Sequence, residues 1–161
     1  MDIASIRPAT EDDLDALITL YREFHAFHVA GLPARLRLPE QDDTEDIRRS
    51  LGEILANADA ALLVAEVEDR VIGLAEVYFR HDEPHPATVT LPYGYLQSLM
   101  VTERWRGHGV GERLLRAAED WARGRGAVEM RLSAWEFPAG PLRFYEREGY
   151  VTIKRTMARP L

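Results

Sequence analysis

Apolar positions in this 161-residue chain change their spacing several times, and each change marks an element. I-A-S-I-R-P, residues 3–8, reads as a short strand that ends at Pro8. Thr10 and Asp13 form a variant of the capping box, and Leu14, Leu17, Ile18, Tyr21 and Phe24 follow at helical spacing. Gly31, Pro33 and Pro39 then punctuate a loop from Gly31 to Glu40. Thr44 is placed to cap a second helix that buries Ile47, Leu51, Ile54 and Leu55. Ala60–Val67 reads as a strand, Glu68-Asp69-Arg70 as a tight turn, and Val71–Phe79 as the hairpin partner. H-D-E-P-H-P-A is a loop, and Tyr93–Val101 is the next strand. Val110–Arg123 is a helix with Val110, Leu114, Ala118 and Trp121 as its core stripe, ended by Gly124 and Gly126. Val128–Trp135 is a strand, Pro141–Glu148 a short helix closed by Gly149, and Tyr150–Ala158 a last strand with no hairpin partner before Leu161. The order β-α-α-β-β-β-α-β-α-β predicts one mixed α/β domain over residues 1–161, built on a central sheet flanked by helices.

Composition narrows the class. Hydrophobic residues make up 46% of the chain, enough for one sizeable core. No apolar run is long enough to span a bilayer, and the first residues lack a signal-peptide apolar core. The chain has no cysteine, so a disulfide framework and a thiolate metal site are excluded. A cytoplasmic protein is the expectation. The net charge of -7 argues against general nucleic-acid binding. That charge is unevenly placed, with a net of -11 over residues 1–100 and +4 over residues 101–161. Such a field suits a polyanion on the basic part and a cationic partner on the acidic part; uneven surface decoration gives the same count.

The basic part opens with R-W-R-G-H-G-V-G, residues 104–111, directly ahead of a helix. A helix N-terminus exposes unpaired N–H groups, and glycine lets the backbone approach an anion with no Cβ in the way. Arg104 and Arg106 add full charges. Strand, glycine turn and helix together form a cradle for a diphosphate. A P-loop would need G-K-[ST], which the chain lacks, and a dinucleotide fold would place G-x-G-x-x-G in an early βαβ unit. The remaining pattern, R-x-x-G-x-G, is met by Arg106, Gly109 and Gly111.

L-Q-S-L-M-V-T-E-R-W-R-G-H-G-V-G resembles strand 4 and the acetyl-CoA pyrophosphate loop of the GNAT superfamily of N-acetyltransferases. R-F-Y-E-R-E-G-Y resembles that family's C-terminal F-Y-E-x-x-G-[FY] segment, and the element order is similar over nearly the whole chain. The resemblance implies a GNAT-like fold and acetyl transfer from acetyl-CoA to a primary amine by direct attack in a ternary complex. It implies that the backbone of Met100 and Val101 pairs with the pantetheine arm. The N–H groups of Arg106, Gly107, His108, Gly109, Val110 and Gly111 would hold the pyrophosphate, and the Arg106 side chain would either pack on the loop or reach a phosphate. Tyr145 falls where many relatives place the general acid, and a homodimer is expected. One departure is Pro138, which stands where many relatives carry an asparagine that binds CoA. Proline has no amide side chain and no N–H, so that contact is absent.

A tyrosine, with an ordinary pKa near 10, can donate a proton to a departing thiolate. Tyr145 suits that role or packs its helix on the sheet. A strand 4 N–H near Met100 would serve the oxyanion. Glu76 lies in an apolar strand, where alternation groups it with Ile72, Leu74 and Tyr78. It is either a base of raised pKa or a sheet-edge carboxylate that meets water. Gln97 can orient a substrate or a water but cannot take a proton. His25 with His28, and His81 with His85, have ligand-like spacing, yet no metal is expected. His108 is read as an exposed loop side chain. The acceptor is expected to be a cationic amine: a polyamine, an aminoglycoside-like compound, an amino acid, or a protein N-terminus or lysine. The loops Gly31–Glu40 and Arg80–Pro92 are expected to shape its pocket. The alternative function is a CoA-binding sensor or interaction module without catalysis.

Overall fold

A computed structural model describes residues 4–40 and 43–161. Strands β1 (Ser5–Pro8), β2 (Ala60–Val67), β3 (Arg70–His81), β4 (Pro92–Val101) and β5 (Glu129–Leu132) lie side by side in chain order. The first four pair antiparallel, and β5 joins β4 in parallel. Helices α1 (Leu14–Gly31) and α2 (Thr44–Ala56) bury Leu17, Ile18, Leu20 and Leu51 against Leu62, Val64 and Leu74 on one face. Helix α3 (Val110–Gly124) buries Leu114, Leu115 and Ala118 against Ala65, Ala75 and Val77 on the other. The short helix α4 (Leu142–Arg147) adds Tyr145 to that second layer. With both faces covered, β2 reads as a nearly continuous apolar run. Among the described residues no helix is long and apolar enough to cross a membrane.

The capping box is present, with the Thr10 N–H donating to Asp13 Oδ2 at 2.8 Å. Asp13 is buried, and the Arg7 guanidinium meets both its oxygens at 2.8 and 2.9 Å. That pairing holds the Asp13 carboxyl below its ordinary pKa. A depressed carboxyl contributes stability above its ordinary pKa and loses it as pH falls through the lowered value. Asp13→Ala removes a cap and one half of the pair. The one-third exposure of Arg7 screens the loss, so a cost of about 2 kcal/mol is expected at neutral pH, with the gap to wild type closing in acid. Urea midpoints at both pH values measure it.

Ile3, placed at the start of the first strand, lies outside the described residues. Three expectations need correction. Asp43, not Thr44, occupies the N-cap of α2, and the Thr44 hydroxyl takes a hydrogen bond from Arg22. Ile72 does not share a face with Leu74. The β2–β3 register pairs Ala65 with Gly73 but Glu66 with Val71, so Ile72 is the extra residue of a bulge and turns into the α3 layer. The last strand, Tyr150–Ala158, does not form: no regular element follows α4. β5 is also shorter than its apolar run, for a reason that shapes the site.

Candidate active site

β4 and β5 pair only as far as Leu96 with Leu132 and then part. The same point carries a second bulge. Against β3, Ser98 pairs with Glu76 and Leu96 with Val77, which leaves Gln97 unpaired and exposed. Beyond it, residues 97–101 of β4 have no strand partner on the β5 side among the described residues. The parting opens a cleft of about 810 Å³. One wall is β4 from Tyr95 to Val101, and the other is Ser133–Trp135 past β5. The second half of α1 covers it with Phe24, Phe27 and His28, and Tyr145 of α4 enters beside Phe144.

The glycine turn closes the Val101 end. Gly107 and Gly109 adopt φ of +75° and +76°, and a Cβ at either would meet no atom within 4 Å. The conformation, not crowding, therefore requires glycine. Among the described residues no backbone carbonyl outside the helix claims the N–H groups of Gly107, His108, Gly109, Val110 or Gly111, and the first turn of α3 leaves its own donors open. Arg106 differs, because its N–H already donates to Glu103 O at 3.2 Å. Its side chain folds back as well. Nε donates to Val101 O at 2.9 Å, and the guanidinium lies 5.0 Å from the Phe27 ring centre and 3.6 Å from Glu23. So Arg106 fastens the loop to β4 and α1. His108 is exposed, its Nδ1 2.8 Å from Arg106 O.

Met100 is buried toward α1 and α2, while Val101 reaches the α3 layer, so only their backbone edge is offered to the cleft. Tyr145 is 8% exposed and edge-on to Phe144 and Tyr150, with ring centres 5.3 and 5.8 Å away. Burial pushes its phenol up to about 12. It stays protonated throughout the neutral range, as a proton donor requires. The ring both packs and borders the cleft.

Glu76 is neither a sheet-edge group nor open to the cleft. It is 5% exposed and accepts from the hydroxyls of Tyr21 at 2.5 Å, Tyr78 at 2.6 Å and Ser98 at 3.1 Å. Burial, then the adjacent Glu76 charge, raise Tyr21 well above its ordinary value; burial, then the hydrogen bond to Glu76, raise Tyr78. Both remain donors. Of this cluster Ser98 also lines the cleft. Sequence reasoning found Glu76 and grouped it with Tyr78 on one strand face, but missed Tyr21 and Ser98 as partners. Tyr21 counted as one more member of the α1 stripe, and only the fold brings positions 55 residues apart together.

Pro138 follows Phe137, whose ring docks on α1, 5.5 Å from Phe27 and 5.8 Å from His28. A Cβ on Gly31 would come within 2.4 Å of that ring, so Gly31 is small for close approach. The Arg80–Pro92 loop does not line the cleft, contrary to expectation. Asp82 pins it to β5 through both Arg131 amino groups, and the Asp82 N–H closes on Leu91 O at 3.0 Å. The Gly31–Glu40 loop contributes Leu36. His25 and His28 bond backbone carbonyls, and among the described residues no three metal-ligating side chains converge.

A splayed strand pair therefore lies beside a cradle of N–H groups. The model of the acetyltransferase (GNAT) family matches residues 14–150. The chain belongs to the GNAT family. An aminoglycoside N(6')-acetyltransferase type 1 of Stenotrophomonas maltophilia is 38% identical to this GNAT chain over 98 residues, which is 60% of this chain. The match spans 63% of that relative's length. A solved mutant of the BH1408 protein of Bacillus halodurans superposes with a TM-score of 0.87 at 21% identity, covering 98% of this chain and 99% of that one. A predicted acetyltransferase of Clostridium acetobutylicum, solved with acetyl-CoA, gives 0.75 at 19% identity, covering 98% and 96%. At these identities the two structures speak for the fold.

Proposed function

We propose that this chain moves an acetyl group from acetyl-CoA to a primary amine by direct attack in a ternary complex. The observation that carries the reading is the unpartnered edge of β4, residues 97–101, running from the bulge at Gln97 to unclaimed N–H groups at Gly107–Gly111. The edge suits an amide-bearing pantetheine arm, and the cradle suits a pyrophosphate. Acetyl-CoA supplies the activated acyl group. The protein holds both ends, shelters the reaction under α1, and keeps the Tyr145 phenol protonated to meet the departing thiolate. Glu76 has all three of its hydroxyl bonds made, so an amine proton reaches it only by way of Ser98. We assign Glu76 as the anchor that orients Ser98 and the two tyrosines, with its role as base limited to that relay.

The acceptor end is the Tyr95 end of the cleft, farthest from the glycine turn. Among the described lining residues Glu112 is the single carboxylate, and it stands beside the phosphate loop. Aromatic rings of Phe24, Phe27, Tyr95 and Trp135 dominate the rest. The acidic N-terminal part draws a cationic amine in, and these walls favour a monoamine with an apolar body over a polycation. The test is thiol release from acetyl-CoA with a panel of arylalkyl and alkyl monoamines, polyamines, amino acids, aminoglycosides and basic peptides. Release with the monoamines at kcat/KM at least about tenfold above the polycations is expected, a difference of about 1.4 kcal/mol. Tight CoA binding without release for any acceptor favours the sensor reading instead. We also propose that the chain works as a homodimer.

A further inference from the structure

Glu76, Tyr78 and Arg80 alternate on one face of β3, the face on which Glu76 meets Tyr21 of α1. The first two are taken up by the buried hydroxyl cluster. Arg80 is exposed and is not part of it. Its guanidinium carbon stands 4.9 Å from the Tyr78 ring centre and 4.3 Å from the ring centre of Tyr95 on the neighbouring strand. Each ring is fixed by its own hydroxyl. Tyr78 donates to Glu76 Oε1 at 2.6 Å, and Tyr95 donates to Ser133 Oγ at 3.2 Å. The guanidinium therefore rests on two anchored rings instead of sweeping through solvent.

Arg131 shows the other fate of a guanidinium seated on a tyrosine. It lies 3.9 Å from the Tyr93 ring centre and is paired with Asp82 and Glu129. Arg80 has the aromatic seat without the carboxylates: among the described residues no oxygen accepts from its guanidinium. A ring contact uses no lone pair, so its donors stay open in a planar fork that matches a carboxylate or a phosphonate. Arg125, 4.5 Å from the Trp121 ring centre, also has no carboxylate partner, but neither it nor Trp121 lines the cleft. Tyr95 does line it, with Ser133 and Trp135, at the acceptor end. Arg80 lies just outside that wall, against the Tyr95 ring.

We propose that Arg80 binds an acidic group of the acceptor, so that the acceptor is a zwitterion: a primary amine at Ser98, an apolar body along Tyr95, and a carboxylate or phosphonate on Arg80. This names the substrate class of the acetyl-transfer site and rests on that reading. The two ends are oppositely charged, because the Glu76 carboxylate lies behind Ser98 and the Arg80 cation lies beyond Tyr95. A zwitterion is thereby oriented with its amine toward Ser98. Along β4 the distance from Tyr95 to Ser98 is roughly 10 Å at the usual strand rise, the span of an aromatic ring with a short arm at each end. An α-amino acid carries both charges on one carbon and does not reach both ends. A polycation meets the positive charge of Arg80 and is disfavoured.

Kinetics with a matched pair test it: p-(aminoethyl)benzoate and its neutral carboxamide, at saturating acetyl-CoA. The wild-type chain is expected to favour the acid at least about tenfold in kcat/KM, chiefly through KM. Arg80→Gln is expected to bring the acid-to-amide ratio to about one, and Arg80→Glu to invert it. Arg80→Lys keeps part of the preference, since an ammonium retains the charge without the fork. Lost packing on the two rings would lower both compounds alike and leave the ratio where it was. A wild-type ratio near one, or a preference that survives Arg80→Gln, overturns the proposal. If neither compound turns over, calorimetry on the CoA-saturated chain reads the same ratio from affinities. Tighter binding of the acid that Arg80→Gln abolishes then sustains Arg80 as an anion site and counts against the transfer reading. Equal affinities, or no binding of the acid, overturn the site itself.

Discussion

Tyr145→Phe is expected to lower kcat about 10²–10⁴-fold, the span a positioned general acid usually contributes. The ring stays in the α3 layer against Phe144 and Tyr150, so stability and CoA affinity should hold. This separates the two roles of the residue. A variant that retains kcat within about twofold would assign Tyr145 to packing alone, since the phenol then adds nothing to the chemistry. The pH profile gives a second reading. Burial pushes the phenol up to about 12, and the acid must be protonated to act. The rate should therefore show no descending limb at the ordinary tyrosine pKa near 10 and should fall only toward 12. The raised value also has a stability sign. Between 10 and 12 the unfolded chain has lost the proton that the folded chain keeps, so stability falls as pH rises through that window. Kinetics above pH 10 need fresh enzyme and short assays.

The second large effect is expected at Gly109. Gly109→Val places a β-branched side chain at φ +76°, at the residue that precedes α3. A left-handed position costs a branched residue about 1–3 kcal/mol, and the loop relieves it by turning N–H groups out of the cradle. CoA affinity should drop about 10–100-fold, read by calorimetry. The core should survive, because no atom lies within 4 Å of the new Cβ and α3 is held by Leu114, Leu115 and Ala118 farther along. Unchanged CoA affinity with a shifted melting temperature would mean that the glycine serves the turn and not the ligand.

The order of elements was written in the chain itself. Periodicity located α1 and α3, and Glu68 and Asp69 supplied the two positive φ values of a tight hairpin turn. The cradle was legible for the same reason: glycines at fixed offsets before a helix are a local feature, and local geometry follows local sequence. Tyr145 and the loop glycines were likewise found by motif.

What lay beyond the sequence depended on partners far along the chain. Neither bulge has a compositional mark, since a single unpaired residue arises from how two strands meet. Ile72 and Gln97 could be assigned to a face only by the register. The shortening of β5 reflects its divergence from β4, a property of the sheet and not of the V-E-M-R-L-S run. Glu76 was visible as a carboxylate in an apolar strand, but two of its three hydroxyl partners arrive from α1 and β4. The C-terminal segment is the converse. Val151, Ile153 and Met157 give it strand character in the sequence, although Arg155 interrupts their alternation, and the chain leaves it unpaired because a strand needs an edge as well as a pattern. Sequence alone determined which segments bear helix or strand character and which glycine turn precedes α3. The tertiary structure decided which strands part, which carboxylate is enclosed and which edge is left open, because pairing and burial are relations between distant residues.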